Sequence, residues 1–177
     1  MTVTYVEPGS IDARVIGENW VLVLGGVTRA GNRHSRRAVI EALDSGLDVV
    51  WFDGLEGTGG SETPDVPMVP ADDRTLLIVG FADTEAKSLA SRLRSPAGFQ
   101  ANNAARFIWR HVLRRVGSVL RPRACWAAIR PDVSSLSEAA PPAAIVIGDD
   151  YSITSAWYSG RIWRDTPLST QLMVKSE

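Results

Sequence analysis

Cysteine, histidine and long apolar runs are scarce in this chain, and each scarcity excludes something. The one cysteine, Cys125, leaves no intramolecular disulfide and no cysteine-cluster metal site. A reducing cytoplasmic setting fits that usage. No apolar run approaches the roughly 18 residues of a membrane span. The opening MTVTYVEPGS lacks the basic-then-apolar order of a secretory signal, so none is expected. With two histidines, His34 and His111, no Ser/His/Asp or Cys/His order is readable, and no metal site is expected. Acidic residues are missing from residues 86–131, which carry ten basic ones, while residues 41–85 carry eleven acidic residues against Arg74 alone. The net charge is nevertheless only −1. Such segregation marks either a surface for an anionic partner or two halves that neutralise each other in the fold. A nucleic-acid partner is not expected.

What is present suits one domain of ordinary size: 177 residues, 45% hydrophobic and 22% charged. Its clearest stretch is NWVLVLGGVTRAGNRHSRRAVIEALDSGLDVVWFD, residues 19–53. Residues 20–24 are apolar and of strand length, and Gly25-Gly26 bounds them. Thr28, Arg29, Gly31 and Asn32 then form a polar turn. Residues 35–43 place Ala38, Val39, Ala42 and Leu43 on one helical stripe, and Gly46 stands where a left-handed cap is wanted. Residues 48–52 are a second buried strand, closed by Asp53-Gly54. Two apolar strands joined by a helix predict a βαβ crossover in a parallel sheet.

The rest of the chain repeats that alternation. Residues 1–18 read as an irregular lead-in, and the domain proper as 19–177. Residues 55–73 (LEGTGGSETPDVPMVPADD) read as a long surface loop, 75–79 as a third strand and 83–93 as a helix. Residues 106–120 form an amphipathic helix in which Arg106, Arg110 and Arg114 line one flank. Those arginines are either a solvated face or a cationic ridge for a phosphate or an anionic bilayer. Pro122 is expected to end that helix, with a short one over 124–129 and a loop over 133–142. Residues 143–147 are a fourth strand, 152–163 a helix and 167–174 a fifth strand. Strands alternating with helices predict a single α/β domain, an open, mostly parallel Rossmann-like sheet with helices on both faces.

In such sheets function collects where strands end and helices begin. At Gly25 and Gly26, backbone N–H groups either hold a phosphate or sugar hydroxyl or merely form a tight packing turn. Asp53 would bind a ribose hydroxyl or cap a turn, and the match to a dinucleotide fingerprint is incomplete. Asp149 and Asp150, before Tyr151 and Ser152, suit a general base, a hydroxyl acceptor or a helix cap. His34, beside the glycine turn, either touches a ligand or is a surface residue; His111 and Cys125 read as structural.

The segments VLVLGGVTRAGNR, DVVWFDG, IRPD and AAIVIGDDYSITSAWYSGRIWRDTPLST together resemble the N-terminal, acceptor-side half of a GT-B glycosyltransferase of the family 4-like group. The resemblance covers residues 20–174. It implies that Gly25 and Gly26 approach the donor phosphates or sugar, that Thr28, Arg29 and Asn32 border the acceptor, and that Asp149, Asp150 and Tyr151 lie near the reacting centre. It further implies a nucleotide-sugar donor as co-substrate with no other cofactor, transfer without a metal, and a sugar or lipid-linked acceptor. The sequence departs from that pattern in two ways. The donor-binding half with its paired glutamates is absent from these residues, and Gly148-Asp149-Asp150 stands where such enzymes often carry a histidine. A chain of this kind alone would bind part of a substrate without transferring a sugar. The location implied is cytoplasmic, peripheral to the inner face of the membrane. Two other readings remain open: an NAD(P)-dependent reductase, weakened by the lack of a Tyr-x-x-x-Lys pair after Tyr158, and a non-catalytic domain whose arginine face meets a membrane or acidic partner.

Overall fold

The computed structural model describes residues 1–25, 29–54, 74–80 and 114–171. The apolar runs become β2 (Trp20–Leu24), β3 (Asp48–Asp53), β4 (Thr75–Gly80) and β5 (Ala144–Ile147). Two further strands complete the sheet, β1 (Thr2–Val6) and β6 (Leu168–Ser169). The order is β1-β4-β3-β2-β5-β6, and every neighbouring pair is parallel.

Continuous apolar strands mark a sheet covered on both faces, and the side-chain period of two divides them between those faces. Trp20, Leu22, Leu24, Val50, Phe52 and Ile145 enter one core; Val21, Val23, Val49, Trp51 and Val146 enter the other. Helix α1 (Arg29–Asp44) covers the second face with Ala38, Val39, Ala42 and Leu43. Helices α2 (Arg114–Leu136) and α3 (Ile153–Ile162) cover the first with Ile129, Val133, Leu136 and Ala156. The architecture is therefore the expected α/β one, with helices on both faces of a parallel sheet.

Gly46 ends α1 at φ +83°, with Gly46 N–H donating to Leu43 O and Leu47 N–H to Ala42 O, both at 3.0 Å. That pair of bonds is a Schellman cap, and it needs the left-handed backbone glycine provides.

Four expectations are corrected. Residues 1–18 are not an irregular lead-in, because β1 joins the sheet edge in register with β4, Thr2 opposite Thr75 through Val6 opposite Val79. The segment after it is fastened by Asp132 of α2, fully buried, whose carboxylate accepts from Gly9 N–H at 2.8 Å and Ile11 N–H at 3.2 Å. Helix α1 begins at Arg29, so Arg29, Gly31 and Asn32 lie in its first turn and not in a loop. Pro122 does not end a helix: α2 runs unbroken through Pro122 and Pro131 to Leu136, absorbing the expected helix 124–129 and the start of the expected loop 133–142. Each proline removes one N–H bond, but the stripe Cys125, Ile129, Val133 and Leu136 is buried against the sheet and holds the helix together. Lastly, the final strand expected over residues 167–174 is two residues long among the described residues, Leu168–Ser169, and residues 172–174 lie outside them. The expected loop 55–73 and helix 83–93, together with His111, Arg106 and Arg110, lie outside the described residues.

Candidate functional site

Strand order reverses at β2: the chain moves from it to β3 and β4 on one side and returns to β5 and β6 on the other. In open α/β sheets the crevice at the carboxyl ends of the strands flanking such a reversal is where ligands bind. Here it lies above Leu24 and Ile147, which pair across β2 and β5.

Gly25 leaves β2 with its N–H donating to Phe52 O at 2.7 Å. A Cβ there would strike that same carbonyl oxygen and lie 2.8 Å from Trp51 Nε1, so only glycine fits. Its own carbonyl faces α3: Ser152 Oγ lies 3.1 Å from Gly25 O and 3.1 Å from Asp149 Oδ1. A hydroxyl has one proton and donates to one of these at a time. Ser152, buried, thereby ties the end of β2 to the turn after β5.

Asp149 organises that turn. Its Oδ1 accepts the N–H of Tyr151 at 3.0 Å and of Ser152 at 3.2 Å, an Asx turn that opens α3. On its other side, Asp149 meets the first turn of α1. A Cβ on Gly31 would lie 2.7 Å from Asp149 Cβ and 2.8 Å from Oδ2. The Asp149 carboxylate therefore stands where the N-terminal ends of α1 and α3 converge, and both helix dipoles favour negative charge there. Ser35 Oγ donates to Gly31 O at 2.8 Å within the same turn of α1.

The remaining candidates are distributed around this point. Asn32 Nδ2 donates to Asp53 Oδ1 at 2.9 Å, tying the first turn of α1 to the end of β3. Asp53 is 3% exposed, so it is a fastening within the fold. His34 donates from Nε2 to Thr170 O, linking α1 to the residue after β6. Asp150 is exposed and Tyr151 half-buried, side by side at the start of α3. Arg29 opens α1 and Arg114 opens α2; Gly26 and Thr28, like Arg106 and Arg110, lie outside the described residues. The structure thus brings Gly25, Asn32, Asp149, Asp150 and Tyr151 to one crevice, with His34 held by Thr170.

Sequence reasoning missed Ser152 and Ser155. A serine after an acidic turn and before a helical run is a helix-start signal that pointed to the first. The second lines a small cavity with Leu24, Gly25, Phe52, Cys125, Ile129, Tyr151 and Ser152. The cavity holds about 10 Å³, the room of a single water. Ser155 Oγ and Trp51 Nε1 are both buried and without a hydrogen-bond partner. They stand on opposite faces of the sheet, Trp51 in the α1-side core and Ser155 in the α3 wall. Compared with known proteins, the chain matches no protein-family model, no curated protein and no solved structure.

Proposed function

We propose that this chain is the acceptor-side half of a GT-B-type glycosyltransferase, binding a sugar hydroxyl at the β2–β5 crevice while a second Rossmann-like half carries the nucleotide-sugar. The observation that carries the reading is the position of Asp149. In a dinucleotide-binding fold the pyrophosphate takes the N-terminal end of the first helix. Here a carboxylate of the protein already stands against that turn, at Gly31. A second anion would meet like charge there, whereas a neutral polyol finds hydrogen-bond acceptors.

Asp149 holds the turn, and Asp150 beside it is the exposed carboxylate. In the proposed reaction the acceptor hydroxyl attacks the anomeric carbon and the sugar–phosphate bond breaks. The nucleoside diphosphate leaves, and Asp150 takes the hydroxyl proton as general base. Gly25 borders the donor side, and Asn32 and Tyr151 the acceptor side. The reductase reading is less well supported, because Asp53 is buried against Asn32 instead of open to a ribose.

The test is an amide-resolved NMR titration of the full chain with simple hexosides and with NADPH. Hexosides at millimolar concentration are expected to shift the amides of Gly31, Asn32 and residues 149–152, and NADPH to leave them in place. Micromolar NADPH shifting those same amides would replace the transferase reading with the reductase one.

A further inference from the structure

Helix α3 is short, and its outward side is unusually apolar. Ile153 is 52% exposed, Trp157 53%, Tyr158 37% and Ile162 42%. Spacings of four join Ile153 to Trp157 and Tyr158 to Ile162, and the contact between the Trp157 and Tyr158 rings joins the two pairs. Single exposed apolar side chains need no explanation, but a contiguous aromatic and aliphatic patch marks an interaction site.

The patch extends onto α2. The Trp126 ring stacks on Tyr158 with centroids 4.9 Å apart and planes 16° from parallel. Tyr158 in turn meets Trp157 edge-on at 4.8 Å, and the Arg161 guanidinium lies 5.0 Å from the Trp157 centroid. Arg123, Trp126 and Arg130 are spaced three and four apart and so share one face of α2. Among the described side chains of α2 and α3, the exposed charges are Arg123, Arg130 and Arg161; the one carboxylate, Asp132, is buried.

We propose that this α2–α3 face docks on an anionic lipid bilayer, with Trp157, Ile153 and Ile162 entering the headgroup boundary and the arginines meeting lipid phosphates. Aromatic and aliphatic side chains interleaved with cations of a single sign are the composition of an interfacial helix. Tryptophan and tyrosine rings favour the headgroup level, and arginine reaches outward from it along an apolar stem. The same charge argues against a second copy of the chain. A two-fold interface places the same patch on both partners and would set Arg161, Arg123 and Arg130 against their own counterparts. The proposal is independent of the transferase reading.

The test is co-sedimentation of the full chain with vesicles of phosphatidylcholine alone and of phosphatidylcholine with phosphatidylglycerol. Binding is expected on the anionic vesicles, weakening with salt, and little on the neutral ones. Trp157→Ser with Ile162→Ser should weaken it at least about tenfold, since each removes a side chain buried in the interface. Arg161→Gln should weaken it by about fivefold, in line with one arginine near an anionic surface. All three positions are exposed, and unchanged thermal unfolding of the variants checks that the fold is kept. Absence of binding, equal binding to neutral vesicles, or loss only on changing Arg106, Arg110 and Arg114 to Glu would overturn the proposal. So would a concentration-dependent dimer that the Trp157/Ile162 variant abolishes.

Discussion

At Gly31, two rules oppose each other. Alanine is the better helix former by about 0.8–1 kcal/mol. An added Cβ, however, would lie 2.7 Å from Asp149 Cβ, inside any normal contact. Forcing a methyl group into a packed contact costs about 1–3 kcal/mol, so Gly31→Ala is expected to destabilise by about 1–2 kcal/mol in urea unfolding. Asp149→Ala in the same chain should return part of that loss, because the clashing atoms beyond Cβ are removed. Asp149→Asn makes a different test. The amide oxygen still accepts from Tyr151 and Ser152, but the negative charge at the converging helix ends is gone. An external anion then gains what the helix end offers, about 1 kcal/mol or fivefold in affinity. Inorganic phosphate should therefore bind Asp149→Asn more tightly than the parent chain by calorimetry. Equal affinities would mean that the carboxylate does not occupy an anion position. None of this was legible at the level of residues: Asp149 and Gly31 are far apart in sequence, and only folding shows that they touch.

At the scale of elements, legibility followed how local the deciding force is. Strands β2, β3 and β4 were plain because buried parallel strands carry unbroken apolar runs, and Gly46 was plain because one residue's backbone angle decides a cap. Helix α2 was not, because local propensity and tertiary packing disagree there. Pro122 removes an N–H bond and crowds the preceding turn, a local cost of about 3 kcal/mol. The burial of Cys125, Ile129, Val133 and Leu136 outweighs it, and that burial depends on a sheet distant in sequence. A proline held inside a helix by packing alone leaves stability unrealised. Pro122→Ala restores the bond and is expected to stabilise the chain by about 2–2.5 kcal/mol, after allowing about 0.4–1 kcal/mol for the greater freedom of the unfolded chain. A rise in the urea midpoint at constant slope checks it. A fall would mean that the proline sets a bend on which Asp132 depends.

For the whole molecule, the alternation of strands and helices sufficed for the fold class, and the crevice followed from the class. The edge at β1 did not follow. Thr2–Val6 has no apolar run; Val3 and Tyr5 face solvent, and nothing local distinguishes it from a loop. What brings it to the sheet is a set of distant contacts, namely the register with β4, the burial of Ile11 and the two N–H groups held by Asp132. These contributions are separable. Val3→Lys changes only an exposed position on β1 and should cost less than about 0.5 kcal/mol. Deleting residues 1–12 is a different matter, because it strips Asp132 of both donors and leaves a buried carboxylate. Breaking such an arrangement by removing one side costs about 3–5 kcal/mol, and losing the burial of Ile11 adds about 1.5–3 kcal/mol. That sum is comparable to the whole stability of an ordinary domain, about 5–15 kcal/mol. The truncated chain should therefore be largely unfolded or sharply weakened in urea. Asp132→Leu in the truncated chain should recover a good part of the loss, since an apolar side chain of similar size needs no partner. A truncated chain that keeps its full urea midpoint would mean that the edge strand and its carboxylate anchor are incidental to the sheet, and that β2 to β5 with α1 to α3 stand without them.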